Sequence, residues 1–401
     1  MKYDIIIAGG GMIGSSLALA LAPLALRVAV VEAVPRAAAL QPSFDDRSTA
    51  LSRSSQRLYE ALDLWGEVAA AATPVRRIHV SDQGRFGFAH IDAAEQGVEA
   101  LGYVVINRVL GATLQRALDR ISGLEIICPA HISSVHTGPQ QASVTVQQAD
   151  GAQRELAARL LVAADGAQSS LRSMAGIGAR ETRYQQQAIV GNLLPEKSLE
   201  NCAYERFTSQ GPLALLPLAD GRAGFVWNVA ERDAGRILAL DDQAFLAELQ
   251  AAFGNRLGMF SRVGARTGYA LVLSKATRLT ATRTVLVGNA AHGLHPVAAQ
   301  GFNLGLRDVA ALCDCIADFG LDHPELLRHY AAWRKSDQSK LVGLTDGLVR
   351  LFASSSGPVR AARGLGMLGF DLVPGVRSLF ARHTMGLAGR LPRLSRGVPL
   401  P

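Results

Sequence analysis

The first 32 residues contain a glycine-rich turn between a predicted strand and a predicted helix. Tyr3–Ala8 is a short apolar run typical of a buried strand, and Ser15–Leu26 is rich in Ala and Leu. The turn between them fits the pattern G-x-G-x-x-G, with its glycines at Gly9, Gly11 and Gly14. Glycine lets such a turn be tight and lets the backbone approach a pyrophosphate at the start of the helix.

A second predicted strand follows at once, from Arg27 to Glu32. Glu32 stands 18 residues beyond Gly14, at the end of this strand, where its carboxylate can accept hydrogen bonds from an adenosine ribose. The whole pattern predicts a βαβ dinucleotide-binding unit and leaves NAD and FAD equally open. The uncharged stretch Ile5–Leu26 also resembles a membrane or signal segment, but Asp4 precedes it and glycines crowd its first half.

Two later stretches repeat the order of strand, turn and helix. The first is Ala164–Arg172, with Asp165 and Gly166 at the turn. The second is Val287-Gly288-Asn289-Ala290-Ala291-His292, which continues through His295-Pro296 to Gln300-Gly301-Phe302-Asn303-Leu304-Gly305-Leu306-Arg307-Asp308. A plain nicotinamide dehydrogenase has no need of these additional stretches.

The three stretches together resemble the class A flavoprotein aromatic hydroxylases, over most of residues 1–345. This resemblance implies an FAD cofactor, NAD(P)H as co-substrate and O2. It implies that Asp165 and Gly166 bind FAD and NAD(P)H, and that Gly288 and Asn289 contact the ribityl chain. It also implies that the helix starting at Gly301-Phe302-Asn303 points at the isoalloxazine ring, where a helix N-terminus would stabilise negative charge.

Within this family the chain resembles the branch that hydroxylates polyprenylated phenols in ubiquinone biosynthesis. The likeness rests on Gly-Asn-Ala-Ala with His-Pro at 288–296, on Gln-Gly-Phe-Asn-Leu-Gly at 300–305, and on the Asp46–Leu51 segment. It implies that Arg47 lies near FAD, and that Asn107 and Arg108 open a helix that approaches FAD. The alternative for Arg108 is a solvated arginine on the surface. Asn289 stands where most members have Asp, so an acceptor oxygen is kept while a charge is lost.

Histidine is the usual candidate for proton transfer near neutral pH. His295, with Pro296, is a candidate catalytic element of the flavin loop, and His292 is weighed beside it. The alternative for both histidines is hydrogen bonding within the loop, and the sequence does not choose between these roles.

The predicted fold is α/β, with a Rossmann-like FAD-binding domain of the p-hydroxybenzoate hydroxylase type, an inserted antiparallel sheet and C-terminal helices. We assign 1–75, 101–180 and 272–345 to the FAD-binding domain, 76–100 and 181–271 to a substrate domain, and 346–401 to a basic tail. Asp46–Leu64 is predicted to be a helix entered from a loop.

Residues 350–401 carry eight arginines and one acidic residue, and therefore the whole net charge of +7. This distribution disfavours nucleic acid and predicts that the tail meets a membrane surface or a protein of ubiquinone synthesis. Its apolar residues at helical spacing are Leu365, Leu368, Phe370, Val376, Leu379 and Phe380. The alternative is that these residues pack on the FAD-binding domain.

Four cysteines are too few for a disulfide framework, so the sequence predicts a reducing, cytoplasmic location and no metal. Three functions stay open: a polyprenyl-phenol hydroxylase, a flavin monooxygenase acting on another aromatic or isoprenoid substrate, and a non-catalytic flavoprotein scaffold.

Overall fold

A computed structural model describes residues 2–35, 46–84, 88–293, 300–353 and 373–401. Its central sheet has six strands in the order β19-β20-β12-β1-β2-β8, parallel except for β19 at one edge. Their bounds are β1 Ile5–Ala8, β2 Val28–Val31, β8 Leu124–Ile127, β12 Leu160–Ala163, β19 Thr280–Ala281 and β20 Thr284–Leu286. Strands covered on both faces read as continuous apolar runs, which is why the βαβ unit was predictable.

Helices α1 Met12–Leu21, α4 Asn107–Leu118 and α8 Gln300–Phe319 pack together with this sheet. The segment that resembled a membrane span is therefore a buried strand, the glycine turn and α1. No helix in the described ranges is long and apolar enough to cross a bilayer. The predicted α/β fold of the FAD-binding domain is confirmed.

Two small sheets flank the central one. The first pairs β9 Ala130–Thr137, β10 Ala142–Gln148 and β11 Gln153–Ala158, and its second hairpin turns at Asp150-Gly151 as predicted. The other pairs β3 Ser48–Ser52 and β4 Thr73–Val75 with β7 Gly102–Ile106.

The prediction of one helix over Asp46–Leu64 is wrong in its first part. Ser48–Ser52 is strand β3, and helix α2 spans Arg53–Ala61, followed by α3 Trp65–Ala69. Ser52 ends the strand and caps α2, because its hydroxyl accepts a hydrogen bond from the Ser55 backbone N–H. Pairing with the distant strand β7 decides the conformation here, and local sequence does not reveal that pairing.

The largest sheet has the order β21-β18-β13-β16-β15-β14-β5-β6, with β17 also paired to β13. All its pairs are antiparallel except β14 with β5. Its strands are β5 Arg77–Asp82, β6 Phe88–Asp92, β13 Ala179–Pro195, β14 Cys202–Phe207, β15 Pro212–Pro217, β16 Ala223–Ala230, β17 Phe260–Val263, β18 Thr267–Ala276 and β21 His292–Gly293. The inserted antiparallel sheet is thus confirmed.

The two faces of this sheet meet different neighbours. Helices α6 Glu231–Leu238 and α7 Asp242–Phe253 cover one face, where Phe225, Trp227 and Phe245 are buried. The opposite face meets strand β3, since a Cβ atom added at Gly224 would lie 2.6 Å from the Ser48 hydroxyl. The sheet therefore closes over the edge of the FAD-binding domain.

Three further α-helices lie in the described ranges: α5 Ser170–Met174, α9 Glu325–Ala353 and α10 Pro374–Thr384. In α10, Ala381 packs with Met385 against Ile91 and Ala93. Val376 and Leu379 are 49% and 60% exposed. The apolar residues of the tail thus divide between packing and exposure, while Leu365, Leu368 and Phe370 lie outside the described residues.

Candidate active site

The glycine turn after β1 is closed by contacts between its own backbone and a neighbouring loop. Gly9 has φ +97°, and a Cβ atom there would lie 2.5 Å from the Ala164 carbonyl oxygen. A Cβ at Gly14 would lie 1.9 Å from the Gly9 carbonyl oxygen. Gly11 is the N-cap of α1 and offers no side chain to the first N–H groups of the helix, which suits an anion at this point.

Glu32 lies beside this turn, as the sequence predicts. Its Oε2 accepts a hydrogen bond from the Gly10 N–H at 2.5 Å, and its Oε1 accepts one from the Val34 N–H at 2.7 Å. These bonds fix the carboxylate at the end of β2, and each oxygen keeps a second lone pair for a ribose hydroxyl.

The second motif turns from β12 into α5. Asp165 accepts hydrogen bonds from the Ser169 hydroxyl and, at 3.1 Å, from the Leu171 N–H. Gly166 has φ +86° and has open space where a Cβ would stand. Asp165 thus holds the turn, while Gly166 lies on the cavity wall described below.

The third motif begins where β20 ends. Gly288 has φ +59°, and its N–H donates to Oδ2 of Asp308 at 3.0 Å. Arg172 of the second motif donates from Nη1 to the carbonyl oxygen of Ala290 at 3.0 Å. The second and third motifs are therefore joined by a direct, buried hydrogen bond.

Asp308 organises the third motif from the interior. Its side chain is fully buried, and besides Gly288 it accepts from His292 Nε2 at 2.6 Å, Arg334 Nε at 2.7 Å and Gln338 Nε2 at 3.2 Å. Burial tends to raise the pKa of Asp308, but its interactions with His292 and Arg334 lower it to about 2. His292 is 1% exposed, so its position agrees with the loop-bonding alternative for this residue.

The Asn303 side chain forms hydrogen bonds within the protein and does not line the cavity. Its Oδ1 accepts from the Ser52 N–H at 2.8 Å and from the Ser55 hydroxyl at 2.7 Å, and its Nδ2 donates to the Ala50 carbonyl at 2.9 Å. These bonds fasten the first turn of α8 to the junction of β3 and α2. Gly301 and Phe302, beside it, do reach the cavity.

A cavity of about 450 Å³ lies where the three motifs meet the large sheet. Seven of the predicted site residues line it: Gly11, Arg47, Gly166, Gly288, Asn289, Gly301 and Phe302. The other predicted residues of the three motifs, Gly9, Gly14, Glu32, Asp165 and Asn303, do not line it. Residues that the sequence analysis did not select for the wall are Met12, Ile13, Ser48, Thr49, Ala164, Val190, Gly191, Phe225 and Val226.

The two predicted arginines differ in position. Arg47 lines the cavity, with its guanidinium 4.7 Å from the centre of the Tyr269 ring. The Arg108 side chain is exposed and pairs with Asp46 at 3.1 Å, outside the cavity lining. Its neighbour Asn107 supplies that lining, and the Asn107 side-chain oxygen accepts from the Thr49 hydroxyl at 2.6 Å.

His295 and Pro296 lie outside the described residues, so their predicted role is neither supported nor opposed by the structure. Within the described ranges, no group of three or more His, Cys, Asp or Glu side chains is arranged to hold a metal ion.

The cavity wall fits the FAD that the sequence predicts. Backbone groups of Gly11, Gly166 and Gly301 line the cavity. At Gly166 and Gly301, no atom of the described residues other than their chain neighbours lies within 4 Å of the position that a Cβ would take. Glycine at these points leaves room for a bound group, whereas packing alone accounts for glycine at Gly9 and Gly14.

Comparison with known proteins agrees with this cofactor. Residues 2–344 match the family model described as "FAD binding domain". The chain is 39% identical to "Ubiquinone hydroxylase UbiL" of Rhodospirillum rubrum, over 99% of this chain and 93% of that protein. It is 31% identical to "3-demethoxyubiquinol 3-hydroxylase" of Escherichia coli, over 96% of this chain and 98% of that one.

Solved structures show the same fold. The p-nitrophenol 4-monooxygenase PnpA of Pseudomonas putida superimposes with a TM-score of 0.81, at 17% identity, over 97% of this chain and 98% of that one. PqsL of Pseudomonas aeruginosa gives a TM-score of 0.72 at 23% identity, over 92% and 99% of the two chains. The sequence matches and the glycine-lined cavity agree, and the chain belongs to the FAD-binding-domain family of flavoproteins.

Proposed function

We propose that this protein hydroxylates the aromatic ring of a polyprenylated phenol in ubiquinone biosynthesis, using NAD(P)H and O2. The observation that carries the proposal is the cavity in which the glycine turns of the FAD motifs face an apolar part of the large sheet, at Val190 and Val226. Two relatives that match nearly the whole chain are named as hydroxylases of ubiquinone or its precursor.

In this proposal each motif holds one part of FAD. Gly11 and the start of α1 take the pyrophosphate, and Glu32 takes the adenosine ribose. Gly288 and Asn289 contact the ribityl chain, and Gly301 and Phe302 approach the ring.

When bound, FAD supplies the redox chemistry, which passes electrons from NAD(P)H to O2 and one oxygen atom to the ring. The protein supplies position and environment. The N-terminal turn of α8, beside Gly301, stabilises negative charge near it. Val190, Val226 and Phe302 keep water from the reacting centre.

The test measures FAD, NAD(P)H and O2 together in purified protein. We expect yellow protein that consumes NAD(P)H and O2 in equal amounts when a prenylated phenol is added, and forms one hydroxylated product. If NAD(P)H and O2 are consumed only with a different aromatic or isoprenoid compound, the protein is a flavin monooxygenase with another substrate. FAD binding without any turnover would favour a non-catalytic flavoprotein scaffold.

Gly11→Leu is the matched control. Gly11 has φ −64° and ψ −175°, which any residue adopts, so the variant should fold. Its side chain would occupy space on the cavity wall, so we expect colourless, inactive protein.

We also propose that α10 meets the membrane in which such phenols reside. Val373, Val376 and Leu379 are 49–60% exposed at a spacing of three residues, and Arg382 is exposed on the same helix. An exposed apolar stripe that ends at an arginine suits the headgroup region of an anionic bilayer.

Flotation with anionic liposomes tests this contact. The double variant Val376→Ser, Leu379→Ser should float less than the parent protein, and 0.5 M salt should weaken the parent's binding. Met259→Ser is the control, because Met259 is 61% exposed on another surface. Equal flotation by the double variant and the parent would contradict the proposal.

A further inference from the structure

One row of residues runs across four strands of the large sheet. Val190 of β13 pairs with Val226 of β16, Val226 with Ala214 of β15, and Ala214 with Glu205 of β14. All four are partly exposed, whereas their strand neighbours Ile189, Leu215 and Phe225 are buried under α6 and α7. Because side chains alternate between faces, the row lies on the face opposite these helices.

This row starts at the cavity. Val190 and Val226 line it, and Glu205 lies two strands farther along the same face. Neighbouring strands are about 4.8 Å apart, so the backbone of Glu205 lies about 10 Å from that of Val226. An aromatic ring lying on Ala214 would span most of this distance.

The surroundings of Glu205 are apolar. Ala203 and Phe207 flank it on its own strand, and Val80 pairs with it on β5. Within the described ranges its carboxylate has no hydrogen-bond or ion-pair partner.

The charged groups nearest in the sheet do not reach it. Arg206 points to the other face, since its guanidinium lies 3.7 Å from the Cβ position of Gly254 at the end of α7. Asp82 of β5 pairs with Phe207, at the end of the strand. Loss of hydration alone raises the pKa of Glu205 from its usual 4.5 to about 7.

We infer that Glu205 recognises the hydroxyl group of the phenolic substrate, which lies on the row from Val226 to Ala214. This inference rests on the proposed function and adds a substrate-binding residue to it. A polar group without a hydrogen-bond partner on an apolar surface costs free energy unless a bound ligand supplies that partner.

The chemistry of this contact is a hydrogen bond that can become a proton transfer. The phenolic O–H donates to a carboxylate oxygen of Glu205. When the proton moves, the O–H bond of the phenol breaks, an O–H bond forms on the carboxylate, and the electron pair stays on the phenolate oxygen. That pair increases the electron density of the ring at the positions ortho and para to the oxygen.

The experiment uses the FAD-loaded full chain and two probes, a phenol carrying a short prenyl chain and its methyl ether. Binding is followed by the change in flavin absorbance, and turnover by NAD(P)H and O2 consumption. The variants are Glu205→Gln and Glu205→Ala, and FAD content is measured in each. Glu181→Gln is the control, because Glu181 is exposed on strand β13 of the same sheet, three strands away from β14.

We expect Glu205→Gln to bind the phenol about tenfold more weakly than the parent, because a hydrogen bond to a charged group is replaced by one to a neutral amide oxygen, and Glu205→Ala to bind it more weakly still. The methyl ether, which has no proton to donate, should bind parent and variant alike. Phenol binding by the parent should strengthen as pH rises through about 7, and this dependence should vanish in Glu205→Gln. Glu181→Gln should behave as the parent does.

Equal phenol binding by parent and both Glu205 variants, at equal FAD content, would overturn the inference. If the parent binds the phenol through Glu205 but never hydroxylates it, the proposed function fails while this contact stands. If the parent does not bind the phenol at all, both are overturned.

Discussion

The surroundings of two carboxyl groups, Asp308 and Glu205, shift their pKa values in opposite directions. Asp308 accepts hydrogen bonds from four donors, and its pKa is about 2. Glu205 has no partner within the described part of the chain, and its pKa is about 7. Partners rather than burial decide the difference, since loss of hydration acts on both. The satisfied group holds the fold together, and the unsatisfied one is available to a ligand.

Of these substitutions, replacing Asp308 should lower the free energy of unfolding most. In Asp308→Ala the Arg334 guanidinium, 1% exposed, loses its partner at that end, so we expect the free energy of unfolding to fall by about 3–5 kcal/mol. Urea denaturation of the FAD-loaded protein measures it. Asp322→Ala, which breaks surface pairs with Arg159 and Arg283, should cost no more than about 1 kcal/mol. A similar decrease in the free energy of unfolding in both variants would contradict the structural role assigned to Asp308.

Replacing Glu205 should change the free energy of unfolding in the opposite direction. Its pKa in the folded state is raised, so its contribution to stability is fully present below pH 4.5 and is lost as pH rises through about 7. Glu205→Gln should therefore increase the free energy of unfolding by about 1–3 kcal/mol at pH 8 and leave it unchanged at pH 4. Denaturation at both pH values checks this. A destabilised Gln variant at pH 8 would mean that the carboxylate has a partner.

A smaller effect, on FAD affinity, is expected at Asn289. Its side chain is exposed on the cavity wall. If its oxygen contacts the ribityl chain, Asn289→Leu should raise the FAD dissociation constant about fivefold to tenfold, whereas Asn289→Asp should stay near the parent value. Flavin fluorescence during titration of the apoprotein measures both. Unchanged affinity in the Leu variant would exclude this contact.

The smallest effect is expected at Arg108. Its guanidinium pairs with the exposed Asp46, so Arg108→Ala should change the free energy of unfolding by less than about 1 kcal/mol and leave FAD affinity unchanged. Arg47→Ala, on the cavity wall, is the comparison in the same titration. A large loss of FAD in Arg108→Ala alone would restore the role that the sequence assigned to it.

The sequence reveals those parts of the site that backbone geometry dictates. Gly9, Gly14 and Glu32 were found from spacing alone, because a tight turn between a strand and a helix demands glycine. The partners of Asp308 were not found, since Arg334 and Gln338 lie a helix away and no local pattern links them. Strand β3 was missed because its pairing with β7 is distant in sequence.

Glu205 was also missed, although a signal was present. In β14 the alternation of Ala203, Glu205 and Phe207 places a carboxyl group among apolar residues of one face. Period-two patterning predicts which residues share a face, but not which element that face meets. Only the register across four strands relates this residue to the cavity.

The bond from Arg172 to the Ala290 carbonyl has a consequence for attempts to exchange parts between relatives. It makes the Asp165–Met174 turn and the Gly288–Asp308 stretch two halves of one unit, although more than a hundred residues, including most of the inserted sheet, separate them. A chimera that takes only one half from a relative must preserve this arginine and the carbonyl it reaches. Swapping both halves together keeps the contact, so the unit of exchange is discontinuous in the gene.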